Sequence, residues 1–218
     1  MTNKAIPAGN FSTWLEETRE ALKNDTGTDV PCGECNACCR SHYFIHIKPE
    51  DKAAQKKIPK AIQFPAPGLP KGNMLLGYDQ HGRCPMLKDN KCSIYLERPS
   101  TCRTYDCRVF PATGINETES EKEAIKRQSD RWVFSYANNN EIEKHKALKG
   151  VANFLVTHRD QFPKGFVPLN APQVATLAIK IHETFLSGET AVEDESSVKE
   201  TIKSILTAYK TKPLKPNK

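Results

Sequence analysis

The sequence predicts a mostly helical α+β protein, in which a small, irregular, cysteine-rich module with short antiparallel strands packs on C-terminal helices. Three observations lead there. All eight cysteines of the 218-residue chain fall between Cys32 and Cys107. That window is also cut into short runs, most visibly at Phe64 to Gly72, which holds Pro65, Pro67, Gly68, Pro70 and Gly72, so long regular elements do not fit there. After Pro111 apolar residues recur at i, i+3, i+4 and i+7, the spacing of amphipathic helices.

Residues 1–25 read as an N-terminal helix, because Phe11, Trp14, Leu15 and Leu22 share one helical face and Thr13 with Glu16 has the spacing of a capping box. Gly27 and Pro31 make Asp25 to Pro31 a connector. The cysteine module is expected over 26–111. Within it Tyr43 to Ile47 alternates like a strand, and Glu50 to Lys57 suits a brief basic helix. Short strands follow from Met74 to Tyr95, with turns at Asp79 to Gly82 and at Asp89-Asn90. Arg98-Pro99 to Cys107 reads as a compact turn or a single helical turn.

The helical region, 112–209, contains four candidates. Thr118 to Tyr136 is the first. Glu141 to His158 aligns Leu148, Val151, Ala152 and Leu155; Pro172 to Leu186 aligns Val174, Leu177, Ala178 and Ile181. Ser197 to Tyr209 aligns Val198, Ile202, Ile205 and Leu206, with Ser197 and Glu200 spaced as a capping box. Residues 210–218, with four lysines and two prolines, read as a basic disordered tail.

Composition narrows the function classes. Apolar residues make up 38% and charged ones 27%, which suits a packed core. No run approaches the roughly 18 apolar residues of a membrane span. Met1 to Phe11 lacks the apolar core of a signal peptide, and Glu16, Glu17 and Glu20 argue against a transit peptide, so a soluble, cytoplasmic protein is expected. In a reducing compartment clustered thiols hold metal more often than they form lasting disulfides.

The spacing of the cysteines carries the chemistry. Two cysteines separated by two residues can grip one ion from a single turn, with sulfur about 2.3 Å from zinc. Three at that spacing, as in Cys32, Cys35 and Cys38, are similar to the wrap around a 4Fe–4S cluster. The bacterial ferredoxin pattern is nevertheless broken, since Cys39 follows immediately and the Cys-Pro pair is remote, at Cys84-Pro85. Neighbouring Cys38 and Cys39 are hard to bring to the same ion, so they serve two sites or one is a spare thiol. Cys84, Cys92, Cys102 and Cys107 form the second group. Eight thiolates make two four-cysteine sites, or one cluster and one zinc. His42 and His46 are imidazole donors in reach by sequence, although packed or solvated histidines are the simpler reading.

The window from Cys32 to Cys107 holds 12 Lys/Arg against 7 Asp/Glu, so most of the net charge of +6 lies there. Four-thiolate zinc and an oxidised 4Fe–4S cluster with four thiolates each carry about −2. The basic excess therefore offsets the site's own charge and does not choose between the metals. The Lys-rich stretches Lys52 to Lys60 and Lys210 to Lys218 have few aromatics, and zinc-finger histidine spacing is missing, so nucleic acid is not expected as a partner. An unidentified protein partner remains compatible with the sequence. Neither G-x-G-x-x-G nor a phosphate-binding loop is present.

Cys32-x-x-Cys35-x-x-Cys38-Cys39, Arg83-Cys84-Pro85-Met86-Leu87 and Cys92-Ser93-Ile94-Tyr95-Leu96-Glu97-Arg98-Pro99-Ser100-Thr101-Cys102-Arg103-Thr104-Tyr105-Asp106-Cys107 together resemble the YkgJ-type cysteine-cluster family, with its zinc- or iron-chelating CxxCxxCC domain. The resemblance covers about residues 32 to 111. It implies that Cys32, Cys35, Cys38, Cys39, Cys84, Cys92, Cys102 and Cys107 are the metal positions and that Arg98-Pro99 and Arg103 brace the loop. It further implies an iron–sulfur cluster or zinc as cofactor. The same module occurs in a bacterial flagellin lysine N-methylase, which makes a metal-dependent methyl-transfer enzyme the alternative to a metal-binding protein without catalysis.

Overall fold

In the computed structural model residues 4–24, 26–28, 30, 33–186 and 194–211 are described. In chain order they form β1 (Ile6–Asn10), α1 (Phe11–Asn24), β2 (Ile45–Ile47), α2 (Lys52–Lys57), β3 (Gln63–Pro65), β4 (Met74–Leu76), β5 (Leu87–Lys88) and β6 (Lys91–Cys92). There follow α3 (Ser100–Thr104), α4 (Val109–Thr113), α5 (Glu123–Ser129), β7 (Trp132–Ser135), α6 (Asn139–Thr157), α7 (Ala171–Ile181) and α8 (Glu195–Thr211). Helix, with short 3-10 turns included, accounts for 53% of the described residues and strand for 11%, so the fold is α+β and mostly helical. No helix among the described residues is long and apolar enough to cross a membrane.

The contacts divide the chain into two units. One is drawn from Met1–Asn24, Arg108–Asn116 and Ser129–Lys218. Its helices α6 and α7 present Leu148, Val151 and Leu155, and Val174, Ala178 and Ile181, to the core, as the periodicity predicts. Asn138 and Asn170 cap these helices by accepting the N–H groups of Glu141 (3.2 Å) and Gln173 (3.0 Å). Helix α8 adds Val198, Ile202 and Ile205.

Several local expectations are corrected here. The N-terminal helix is preceded by β1, which pairs in parallel with β7. Its cap is Asn10, whose side-chain oxygen accepts from the Thr13 N–H at 3.0 Å; the Thr13–Glu16 capping box does not form. The helix expected over Thr118 to Tyr136 is the short α5 followed by β7, where Trp132 and Phe134 are buried and Val133 and Ser135 are exposed. Helix α8 starts ahead of Ser197, and Asp194 accepts the Ser197 N–H at 2.8 Å in place of a Ser197–Glu200 box. Of the expected basic tail, Lys210 and Thr211 belong to α8, and 212–218 lie outside the described residues.

The other unit, Asp25–Cys107 with Glu117–Gln128, contains the cysteine window. Strands β2, β4 and β3 form an antiparallel sheet in that order, with Ile45 and Gln63 both opposite Leu76. Ile47 and Leu76 meet Ala54 and Ile58, one in α2 and one just beyond it, in a small core completed by Met86 and Ile94. Strands β5 and β6 are a tight hairpin whose two turn residues, Asp89 (φ 48°) and Asn90 (φ 61°), are both left-handed. That is the type I′ geometry that matches strand twist, and Asp and Asn tolerate it better than most side chains.

Candidate metal centre

Four stretches deliver the thiols of Cys38 and Cys39, Cys84, Cys92 and Cys102 to the cysteine unit, and each is tied down by polar contacts. Cys38 and Cys39 lie in a single 3-10 turn, Ala37–Arg40. The Asn36 side chain donates to the Asn90 carbonyl at 2.9 Å and accepts from the Arg40 Nε at 2.9 Å, while Arg40 Nη2 donates to the Asn90 side-chain oxygen. This clasp fastens the first thiol loop to the β5–β6 hairpin, which carries Cys92 in β6. The Cys84 N–H donates to the Cys39 carbonyl at 2.8 Å, joining a third stretch. Cys84 and Cys92 both rest on the core of Ile47, Leu76, Met86 and Ile94.

Cys102 sits in α3, which Asp51 positions. The buried Asp51 carboxylate accepts from the Ser100 N–H (2.9 Å), the Ser100 hydroxyl (3.1 Å) and the Lys48 N–H (2.9 Å), and Arg103 approaches at 3.6 Å. Thr101 donates to the His46 carbonyl at 2.8 Å. Arg98 donates to the Tyr95 carbonyl at 2.6 Å and lies over the Tyr95 ring. Gly27 lets the connector approach α3, since a Cβ there would stand 2.7 Å from the Arg103 carbonyl oxygen.

The thiols sense one another. Cys102 is pushed well above the usual thiol range by burial, and further by the negative charge Cys38, Cys84 and Cys92 would carry. Burial likewise raises Cys84, with Cys92 and Cys38 adding to it. Cys38 is raised first by its hydrogen bond with Cys39, then by the crowding around it, although its edge reaches solvent. Cys38, Cys84, Cys92 and Cys102 thus share one electrostatic neighbourhood. Cys39 borders it through Cys38. Cys107 is buried and near Tyr105, which also feels Cys38. Cys35 is half-buried, and Cys32 lies outside the described residues.

No disulfide joins the seven described cysteines to one another. Among the described residues no three His, Cys, Asp or Glu side chains already lie close enough to hold one ion. The four thiols are neighbours on anchored loops and not a closed cage. Their chemistry nevertheless fits a thiophilic metal: soft sulfur donors, with Cys84 and Cys102 raised by burial and by their neighbours' charge, gain most from a shared cation.

Residues 31–133 match the CxxCxxCC family. That family is described as "Putative zinc- or iron-chelating domain". No curated protein and no solved structure matches the chain. The CxxCxxCC match runs past the last cysteine, and so does the unit itself. Within it the Tyr43 hydroxyl donates to the buried Glu117 at 2.6 Å and lies 3.4 Å from the Tyr105 hydroxyl, with Lys122 over the Tyr43 ring. Sequence spacing found the cysteines but not these supports. Asn36, Asn90 and Asp51 are ordinary turn and cap residues until the chain folds, and Tyr43 and Glu117 are far apart in sequence.

Proposed function

We propose that this protein binds metal through thiolates, with a principal site drawn from Cys38, Cys84, Cys92 and Cys102 and a second donor set in Cys32, Cys35, Cys39 and Cys107. The occupant is zinc or an iron–sulfur cluster, serving a structural, carrier or electron-transfer role. The observation that carries the reading is that thiols from separate stretches come together: the charge Cys38, Cys84 and Cys92 would carry adds to what burial does to Cys102, and that of Cys92 and Cys38 adds to what burial does to Cys84. A bound zinc would crosslink the four stretches, and a bound cluster would add a one-electron redox couple. The protein's own contribution is to hold the sulfurs on short anchored segments: the Asn36–Asn90–Arg40 clasp fastens the turn that carries Cys38 to the hairpin, and Asp51 fixes the α3 turn that carries Cys102.

The test is metal and acid-labile sulfide content of protein purified without oxygen, read with its visible spectrum. Iron and sulfide in equal amounts in a brown protein establish the cluster; one or two zinc ions in a colourless protein establish the zinc form. Metal-free protein with titratable thiols overturns the reading.

A further inference from the structure

His42 departs from its surroundings in three ways. Its φ is 54°, in the left-handed region that a non-glycine residue adopts only with strain. Its imidazole lies flat against Gly82, so that any Cβ at position 82 would overlap Cε1, Nε2 and Nδ1. Gly82 itself has φ 71°, closing the turn in which its N–H donates to the Asp79 carbonyl at 2.9 Å. Finally, Nδ1 of His42 is buried and has no hydrogen-bond partner among the described residues. Leaving a polar atom in that state is unfavourable, because its lost hydration is not replaced.

Strain, reserved space and an orphaned nitrogen at one residue call for a partner that repays them. Hydrogen bonds show where that residue stands. The His42 N–H donates to the Gly82 carbonyl at 3.0 Å, and the Cys84 N–H donates to the Cys39 carbonyl at 2.8 Å. The stretch 39–42 is therefore laced to 82–84, with a thiol-bearing rung at one end and His42 with Gly82 at the other. His46 offers a contrast. It sits in β2, and its Nε2 donates to the Asn73 side-chain oxygen at 2.8 Å.

Resting on the thiolate-centre reading, we infer that His42 is a nitrogen ligand of that metal centre, binding through Nδ1 and making the donor set mixed sulfur and nitrogen. A neutral imidazole accepts such a role alongside thiolates on zinc and on iron. Gly82 is its seat, kept free of a side chain so that the ring can lie there.

The full chain is produced with isotopically labelled histidine ring nitrogens, loaded with an NMR-active cadmium isotope, and read by cadmium NMR. The expected result is a cadmium resonance coupled to one imidazole nitrogen, with the coupling lost in His42→Gln and cadmium affinity reduced about 10-fold to 100-fold. Gly82→Ala keeps the imidazole but displaces the ring, and should lose the same coupling. Cadmium-loaded wild-type protein without nitrogen coupling, or coupling that survives His42→Gln, overturns the assignment and leaves the thiolate centre standing. A chain that takes up no cadmium overturns both.

Discussion

Three thiols in the crowded part of the cysteine unit, Cys38, Cys84 and Cys102, resist ionisation, and that resistance is the residue-scale signature of the site. Cys38, Cys84 and Cys102 all titrate above the ordinary thiol range, so near neutrality they enter a metal complex as thiols and must each release a proton. The logarithm of zinc affinity is therefore expected to rise with pH at a slope of about three or more between pH 6 and 8, measured by competition with a chromophoric chelator. A slope near zero would mean that these thiols are not the ligands. Because the raised values belong to the folded state, the metal-free fold keeps their contribution below about pH 8.5 and loses it as pH rises further. Cys102→Ser is expected to remove bound metal, whereas Cys35→Ser should reduce it only as far as the second donor set contributes; elemental analysis of the two variants separates the sets. In the helical unit His145 supplies an opposite sign. Burial lowers it to about 4, its Nε2 donates to the Pro111 carbonyl (3.2 Å), and its Nδ1 accepts from the Tyr136 hydroxyl (2.6 Å). The unfolded chain binds this proton from about pH 6.5 downward and the folded chain only near 4, so stability falls as pH drops through that interval, by up to about 3 kcal/mol. Urea midpoints against pH, compared between wild type and His145→Gln, should differ in slope over that interval alone.

At the scale of elements, the turn that joins β5 to β6 decides more than hairpin register. Asn90 tolerates the left-handed conformation, offers its carbonyl to Asn36, and offers its side-chain oxygen to Arg40. Asn90→Ala therefore adds backbone strain and removes one clasp contact, and should lower stability by about 1–2 kcal/mol in denaturant titration, with a parallel loss of metal affinity. Asn90→Gly relieves the strain and should be milder; equal losses in the two variants would contradict the backbone account. The turn itself is legible in the sequence, since Asp89-Asn90 between short strands is a hairpin signal. Helices α6, α7 and α8 are legible for a different reason: their apolar stripes recur over three or more turns, and local spacing is all that a helix needs. The pair β1–β7 is not legible in that way. Ile6-Pro7-Ala8-Gly9-Asn10 contains both Pro7 and Gly9, with a register shift between those two residues, and its partner lies at Trp132–Ser135. A strand whose pairing is that distant leaves little local trace, although the alternation of Trp132 and Phe134 with Val133 and Ser135 was available as a signal. The cysteine spacing announces metal for a chemical reason, because chelation from one turn needs that spacing. The clasps around it use residues that mean nothing until loops meet.

On the scale of the whole molecule, the two units rest on different kinds of support. The helical unit buries large side chains throughout, with Phe11, Trp14, Leu148, Leu155, Ile179, Ile181 and Ile205 almost wholly removed from water. Burial of that kind contributes about 1.5–3 kcal/mol per large side chain and sustains helices without further help. Among the described residues, the core cluster beneath the short strands of the cysteine unit has six buried residues, one of them an alanine, and those strands are two or three residues long. A core that small is marginal, and natural domains of this type are completed by crosslinks or metal. In the proposed reading, metal binding is part of the folding free energy of this unit and not of the other. Native-state hydrogen exchange before and after chelation tests the division directly. Chelation is expected to strip protection from β4, whose backbone joins both neighbours in the small sheet, and from the β5–β6 hairpin, while amides in the middle of α6 and α7 keep theirs. Uniform loss across both units would mean that metal supports the whole chain, and unchanged protection in β4 would mean that the small core is self-sufficient and the metal serves a purpose other than folding.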